Sequence, residues 1–164
     1  MKKTQTTPGH PLHFALAVIE SQPLRMNSKD EEDFNELSCY TLSHKDSSFI
    51  HQHIVDAYGA QIADETTKEI RTIFSLVGLY LHLELNHTGR EVQKFHRRMS
   101  KKKMEWPTIS FPKHRGEINV SGVLAAEPGL ERDEMIRSWC LSVWRKYEEN
   151  RNLIIDLVKK YENQ

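Results

Sequence analysis

The chain has 164 residues, enough for one domain to bury a substantial core without disulfides or a structural metal. Lys plus Arg and Asp plus Glu balance at 23 each, which excludes a global field drawing the molecule to nucleic acid or an anionic membrane and leaves only local patches to act. Cys39 and Cys140 stand far apart and form no C-x-x-C, so a zinc ribbon and a thioredoxin-type motif are excluded and a reducing, cytoplasmic setting is expected.

Residues 1–32 mix Thr, Pro, Ser and charges around one apolar island, Phe14 to Ile19, and read as a loosely ordered N-terminal arm; the compact domain then spans 33–164. The island is too short for the apolar core of a signal peptide, and no stretch approaches the roughly 18 apolar residues of a membrane span. Phe34, Leu37 and Tyr40, at three-residue steps, predict a short helix broken by "SHKDSS", within which Asp46 is placed to cap the next helix. From Phe49 to Ile62, turning each residue about 100° from the last gathers Ile50, Ile54, Val55, Ala57, Tyr58 and Ile62 on one side, with His51 in the same sector. Gln52, His53, Asp56, Gly59 and Ala60 gather opposite. This predicts an amphipathic helix whose polar side carries His53 away from His51.

Lys68 to about His87 is apolar nearly all round and predicts the central helix of a bundle. Ile70, Ile73, Val77, Tyr80 and Leu81 define its most buried stripe, with Glu84 in the middle of it. Arg71, Ser75, Gly78 and His82 form an opposite stripe of smaller residues, along which another helix can approach closely. "REVQKFHRRMSKKK" predicts a helix with Val92, Phe95 and Met99 inward and His96 at the edge of that face. The prolines and glycine of "WPTISFPKHRGE" predict a long loop pinned by Trp106 and Phe111, followed by a helical turn around Val120 to Ala126. "ERDEMIRSWCLSVWRKYEE" and "NRNLIIDLVKKY" predict the last helices. Together these elements make an all-α, single-domain bundle of about five helices joined mostly by short connections.

A carboxylate in the middle of an apolar stripe must take up a proton or find a partner. The expected partners of Glu84 are His51, Tyr58 and Gln61 on the preceding helix, which packs antiparallel to its own. Such a pocket is read in two ways. It is a register-fixing polar network, or a site binding a divalent metal or a small molecule. In the second reading His51 is ligand or base, Glu84 is ligand or orienter, His82 or His96 completes the metal set, and Tyr58 and Gln61 hydrogen-bond around it. No H-E-x-x-H or H-x-x-x-H spacing supports the metal version, and no P-loop, G-x-S-x-G or G-x-G-x-x-G motif is present, so enzymatic activity is left open. The alternative function is a non-enzymatic helical interaction protein: a homodimer through spare apolar faces on Leu79, Leu83 and Leu85, or a protein docked elsewhere. Nucleic acid bound by the basic run at 94–103 is the less expected partner, because the acidic "KDEED" at 29–33 is placed to screen that run.

The blocks "YTLSHKDSSFIHQHIVDAYGAQ", "LVGLYLHLE", "GREVQKFH", "WP" and "RDEMIRSWCLSVW", in this order over about residues 36 to 147, resemble an uncharacterised family of small bacterial helical proteins, a domain of unknown function. The resemblance implies a helical fold and no activity. More distantly the arrangement is similar to DinB-like four-helix bundles, whose members often hold a divalent metal with three histidines and include thiol transferases. That likeness carries only His51 across, since residues 130–164 contain no histidine; His82 or His96 would have to complete the set.

Overall fold

The computed structural model of the chain describes residues 28–103 and 105–162. Among these it is all-helical: α1 Ser28–Ser43, α2 His51–Ile62, α3 Glu69–Leu83, α4 Gly89–Ser100, α5 Val120–Ala125, α6 Leu130–Lys146 and α7 Arg151–Glu162, with a 3₁₀ turn at Glu148–Asn150. Among the described residues the helices number seven, the expected turn after Asn119 forming a short helix of its own and the first helix beginning earlier than expected, at Ser28. The rest of the expected N-terminal arm, residues 1–27, lies outside the described residues.

α2 and α3 form the central antiparallel pair. α6 packs on both from one side and α4 on both from the other, α1 covers α2 and α5, and α7 lies on α3. α2 therefore touches four helices and has almost no face left for water. The pair comes close because small residues line its contact: a Cβ at Gly59 would lie 2.5 Å from Ser75 Oγ, and one at Gly78 would lie 2.0 Å from Asp56 Oδ2. The stripe of Ser75, Gly78 and His82 is thus the face along which a helix approaches, and that helix is α2.

Local chemistry sets the boundaries. The Asp46 carboxylate accepts from the backbone N–H groups of Phe49 (2.6 Å) and Ile50 (3.1 Å), satisfying donors ahead of α2. α3 ends at Leu83, short of the predicted His87. Asn86 there adopts a left-handed φ of 55°, and the His87 N–H bonds back to the Leu81 carbonyl at 2.9 Å, closing the helix with a left-handed C-terminal turn. Thr88 and Glu91 then form a capping box that starts α4.

The core holds Leu37, Ile54, Ile73, Leu76, Leu79, Leu81, Phe95, Met99, Ile136 and Trp139, all essentially inaccessible. Its large aromatics satisfy their polar atoms: Trp139 Nε1–H donates to Gln61 Oε1 at 2.9 Å, and Tyr147 O–H donates to the Ala60 carbonyl at 2.7 Å. The long loop is anchored by Gln61, whose Nε2 donates to the carbonyls of Arg115 (3.1 Å) and Ile118 (2.7 Å), and by Trp106, set edge-on to Phe74. Among the described residues no helix is long and apolar enough to cross a membrane.

Candidate functional site

The structure does not bring His51 and Glu84 together. Glu84 is the residue that caps the C-terminus of α3, not a mid-helix position, so its carboxylate turns outward to the junction of α6 and α7. There it accepts from Trp144 Nε1–H at 2.8 Å and pairs through both oxygens with Arg151, at 2.9 and 2.5 Å. It is part-exposed, and the Arg151 guanidinium holds its pKa below the usual carboxylate value. His51 is buried on the other side of the core, with Nδ1 hydrogen-bonded to Thr41 Oγ1 at 2.8 Å; burial lowers its pKa to about 4. Tyr58 stacks on Phe34 (ring centroids 4.0 Å), and Gln61 clamps the long loop. His96 is buried beside Phe74 on α4. The expected pocket therefore divides into separate structural contacts. Likewise Leu79 is fully buried and only Leu85 of the expected apolar face is exposed.

A different polar cluster takes its place. The side of α2 expected to be polar and solvated, carrying Gln52, His53 and Asp56, is buried against α3 and α6, with exposures of 4, 6 and 3%. The physical reason is the neighbour count of α2: a helix enclosed on every side buries its polar face as well as its apolar one. The His53 ring stacks on His82 of α3 (centroids 3.5 Å, interplanar angle 19°), and His82 Nδ1 donates to the His87 carbonyl at 3.4 Å. One turn along α2, Asp56 Oδ1 accepts from Gln52 Nε2 at 3.1 Å while its carboxyl presses onto the bare backbone of Gly78. From α6, the Cys140 thiol donates to the His53 carbonyl at 3.6 Å. Two atoms of this seam, His53 Nδ1 and Asp56 Oδ2, have no hydrogen-bond partner.

Burial dominates the electrostatics. It pushes the Asp56 carboxyl well above its usual pKa, against a smaller opposing effect of the Gln52 hydrogen bond. It lowers His53 to about 3, helped by the neighbouring His82 and by Arg137, and lowers His82 to about 4. The Cys140 thiol is pushed far up by burial and then by Asp56, so it is no nucleophile and behaves as a small hydrophobe, as its place beside Trp139 predicts.

The profile of a family described as "Family of unknown function (DUF5946)" matches residues 29–148, most of the chain. The chain belongs to this family. No curated protein and no solved structure matches it. The resemblance to an uncharacterised helical family is thereby confirmed, while nothing supports the likeness to DinB-like bundles. All of the buried seam of this DUF5946 chain, from Gln52 to Cys140, lies within the matched span.

The seam suits hydrogen bonding more than metal binding or proton transfer. Imidazole lone pairs lie in the ring plane, so two face-stacked rings present their π-surfaces to each other and cannot both aim at one ion between them. Among the described residues no group of three or more His, Cys, Asp or Glu side chains is arranged to hold a metal. A general acid or base works best with a pKa near the operating pH, and these groups are displaced from it by burial. The signal for this site was in the sequence as the i, i+3 pair His53 and Asp56 facing the small-residue stripe of α3. The two faces were read separately, and only the packing joins them.

Proposed function

We propose that this DUF5946 protein is a non-enzymatic binding module whose ligand is a small polar molecule carrying a carboxylate, received at the α2–α3–α6 seam. The observation behind this reading is the pair of unsatisfied atoms, His53 Nδ1 and Asp56 Oδ2, held one helical turn apart at more than nine-tenths burial. Buried polar atoms almost always have partners, so two left without one call for an explanation, and a bound ligand that completes the set is one. A protonated Asp56 and a neutral His53 bearing its proton on Nδ1 are both donors, matching the two oxygens of a carboxylate. Arg137, exposed on α6, depresses both His53 and His82, while Asp46 acts on His53 in the opposite sense, so the preference for a carboxylate rests on the two donors and not on the surrounding charge. Partly buried His82 marks the side from which the seam meets solvent. The exposed thiol of Cys39 suits a reducing, cytoplasmic setting.

The test is thermal unfolding with a panel of small mono- and dicarboxylates, backed by imidazole NMR shifts. A true ligand at about 100 times its Kd should stabilise the native state by about 2.7 kcal/mol. Asp56→Asn should weaken that stabilisation, and the His53 and His82 resonances should move on binding. Absence of any shift in the wild type, together with undiminished stability of Asp56→Leu, would reduce the seam to a device that fixes the register of α2 on α3.

A further inference from the structure

α4 is amphipathic in an unusually one-sided way. Val92, Phe95, His96 and Met99 are buried, and the opposite face, continued into the following turn, carries Arg90, Lys94, Arg97, Arg98, Lys101, Lys102 and Lys103, all exposed. The lone acid within the helix, Glu91, is turned into the capping box with Thr88. The screening expected from residues 29–33 does not occur: α1 packs on α2 and α5, whereas α4 packs on α2 and α3, and Asp33 is bound by Lys29 and Ser121. Among the described residues no ion pair involves Lys94, Arg97, Arg98, Lys101 or Lys103. Seven cations are therefore concentrated on one face of a molecule whose formal net charge is zero.

The helix dipole explains cations in the last turn only. Lys94 lies mid-helix and Arg90 lies in the first turn, where the dipole disfavours a positive charge; Arg90 is held there by its Nε–H bond to the Ser47 carbonyl at 2.7 Å. Lys94, Arg97 and Lys101 share a stripe, with successive charges about 4.5 to 6 Å apart along the axis. Such a regular line fits a polymer that bears a charge at every unit. A membrane surface is the poorer match, because docking there needs large apolar side chains beside the cations, and every large apolar residue of α4 is buried.

We propose that the outer face of α4 is a sequence-independent docking surface for the phosphate backbone of a nucleic acid, with Lys94, Arg97 and Lys101 as its main contacts. It is remote in chemistry from the seam of His53 and Asp56 and operates with or without a ligand there.

The test uses the full chain and fluorescence anisotropy of labelled single-stranded RNA, single-stranded DNA and duplex DNA from about 50 to about 200 mM salt. Three phosphate contacts predict a slope of log K against log salt of about −2 to −3. The triple variant Lys94→Glu/Arg97→Glu/Lys101→Glu, confirmed as folded by circular dichroism, should lose at least tenfold in affinity and most of that slope. Lys94→Arg/Lys101→Arg should bind as the wild type does. Absence of binding by the wild type at the lowest salt, or binding untouched by the triple reversal, overturns the proposal. So would tighter binding of polyglutamate or of phosphatidylserine vesicles than of nucleic acid, which would assign the face to an acidic protein or a membrane instead.

Discussion

The contact between Asp56 and Gly78 leaves no room for a side chain at residue 78. A Cβ at residue 78 would lie 2.0 to 2.9 Å from the carboxyl atoms, so Gly78→Ala must displace the Asp56 side chain or push α2 away from α3. Overpacking of this kind typically costs about 1 to 3 kcal/mol, and the expected value lies at the upper end because both partners are helix-bound. A urea titration of Gly78→Ala beside the double variant Gly78→Ala/Asp56→Ala checks it: the second change should restore part of the loss, and strict additivity would contradict the contact. The same residues set the response to pH. His51, His53 and His96 are buried and His82 is partly buried, all with pKa values lowered to between about 3 and about 4, so the fold favours their neutral forms. Their contribution is fully present above the ordinary value near 6.5 and is lost as pH falls from there toward about 4. Asp56 has the opposite sign, since a raised carboxyl pKa contributes stability in acid that disappears as pH rises. The urea midpoint should therefore fall steeply below about pH 6.5, and Asp56→Asn should be less destabilised than the wild type on the alkaline side. A wild-type midpoint that stays flat in acid would argue against buried neutral histidines.

At the scale of elements, most of the fold was legible from periodicity and punctuation. The inward faces of α4, α6 and α7, the short α5 and the loop pinned by Trp106 follow from spacing and proline placement, because each packs with one side and leaves the other to water. α2 defeated the same argument: its helical wheel has a polar half, yet α1, α3, α4 and α6 leave that half no solvent to face. α3 failed differently. Leu85 prolongs the apolar appearance past the true end at Leu83, which hid Glu84 as a terminal residue and made it look internal. The correcting signals were present in "NHTGRE": an asparagine able to adopt a left-handed φ and the Thr-x-x-Glu pattern of a capping box. Thr88→Ala should accordingly lower stability by about 1 kcal/mol, read as a reduced thermal midpoint, while Thr88→Ser should recover most of it. The candidate site itself was legible residue by residue, but its assembly depends on which faces meet across two helices, and one chain read linearly does not contain that pairing.

For the molecule as a whole, the central position of α2 makes its neighbours interdependent, so the described domain should unfold in one step. Helix content followed by circular dichroism and tryptophan emission should give coincident urea transitions, and separated midpoints would show that part of the bundle is autonomous. The ion pair of Glu84 with Arg151 contributes little to that stability, because both groups are partly exposed to solvent and salt. Its position has another use. The indole N–H of Trp144 rests on the same carboxylate that Arg151 holds, so the optical properties of one chromophore report on whether the C-terminal helix is seated. Arg151→Ala, which loosens that attachment while leaving Trp139 enclosed, would turn the native chain into its own gauge of fraying at this end.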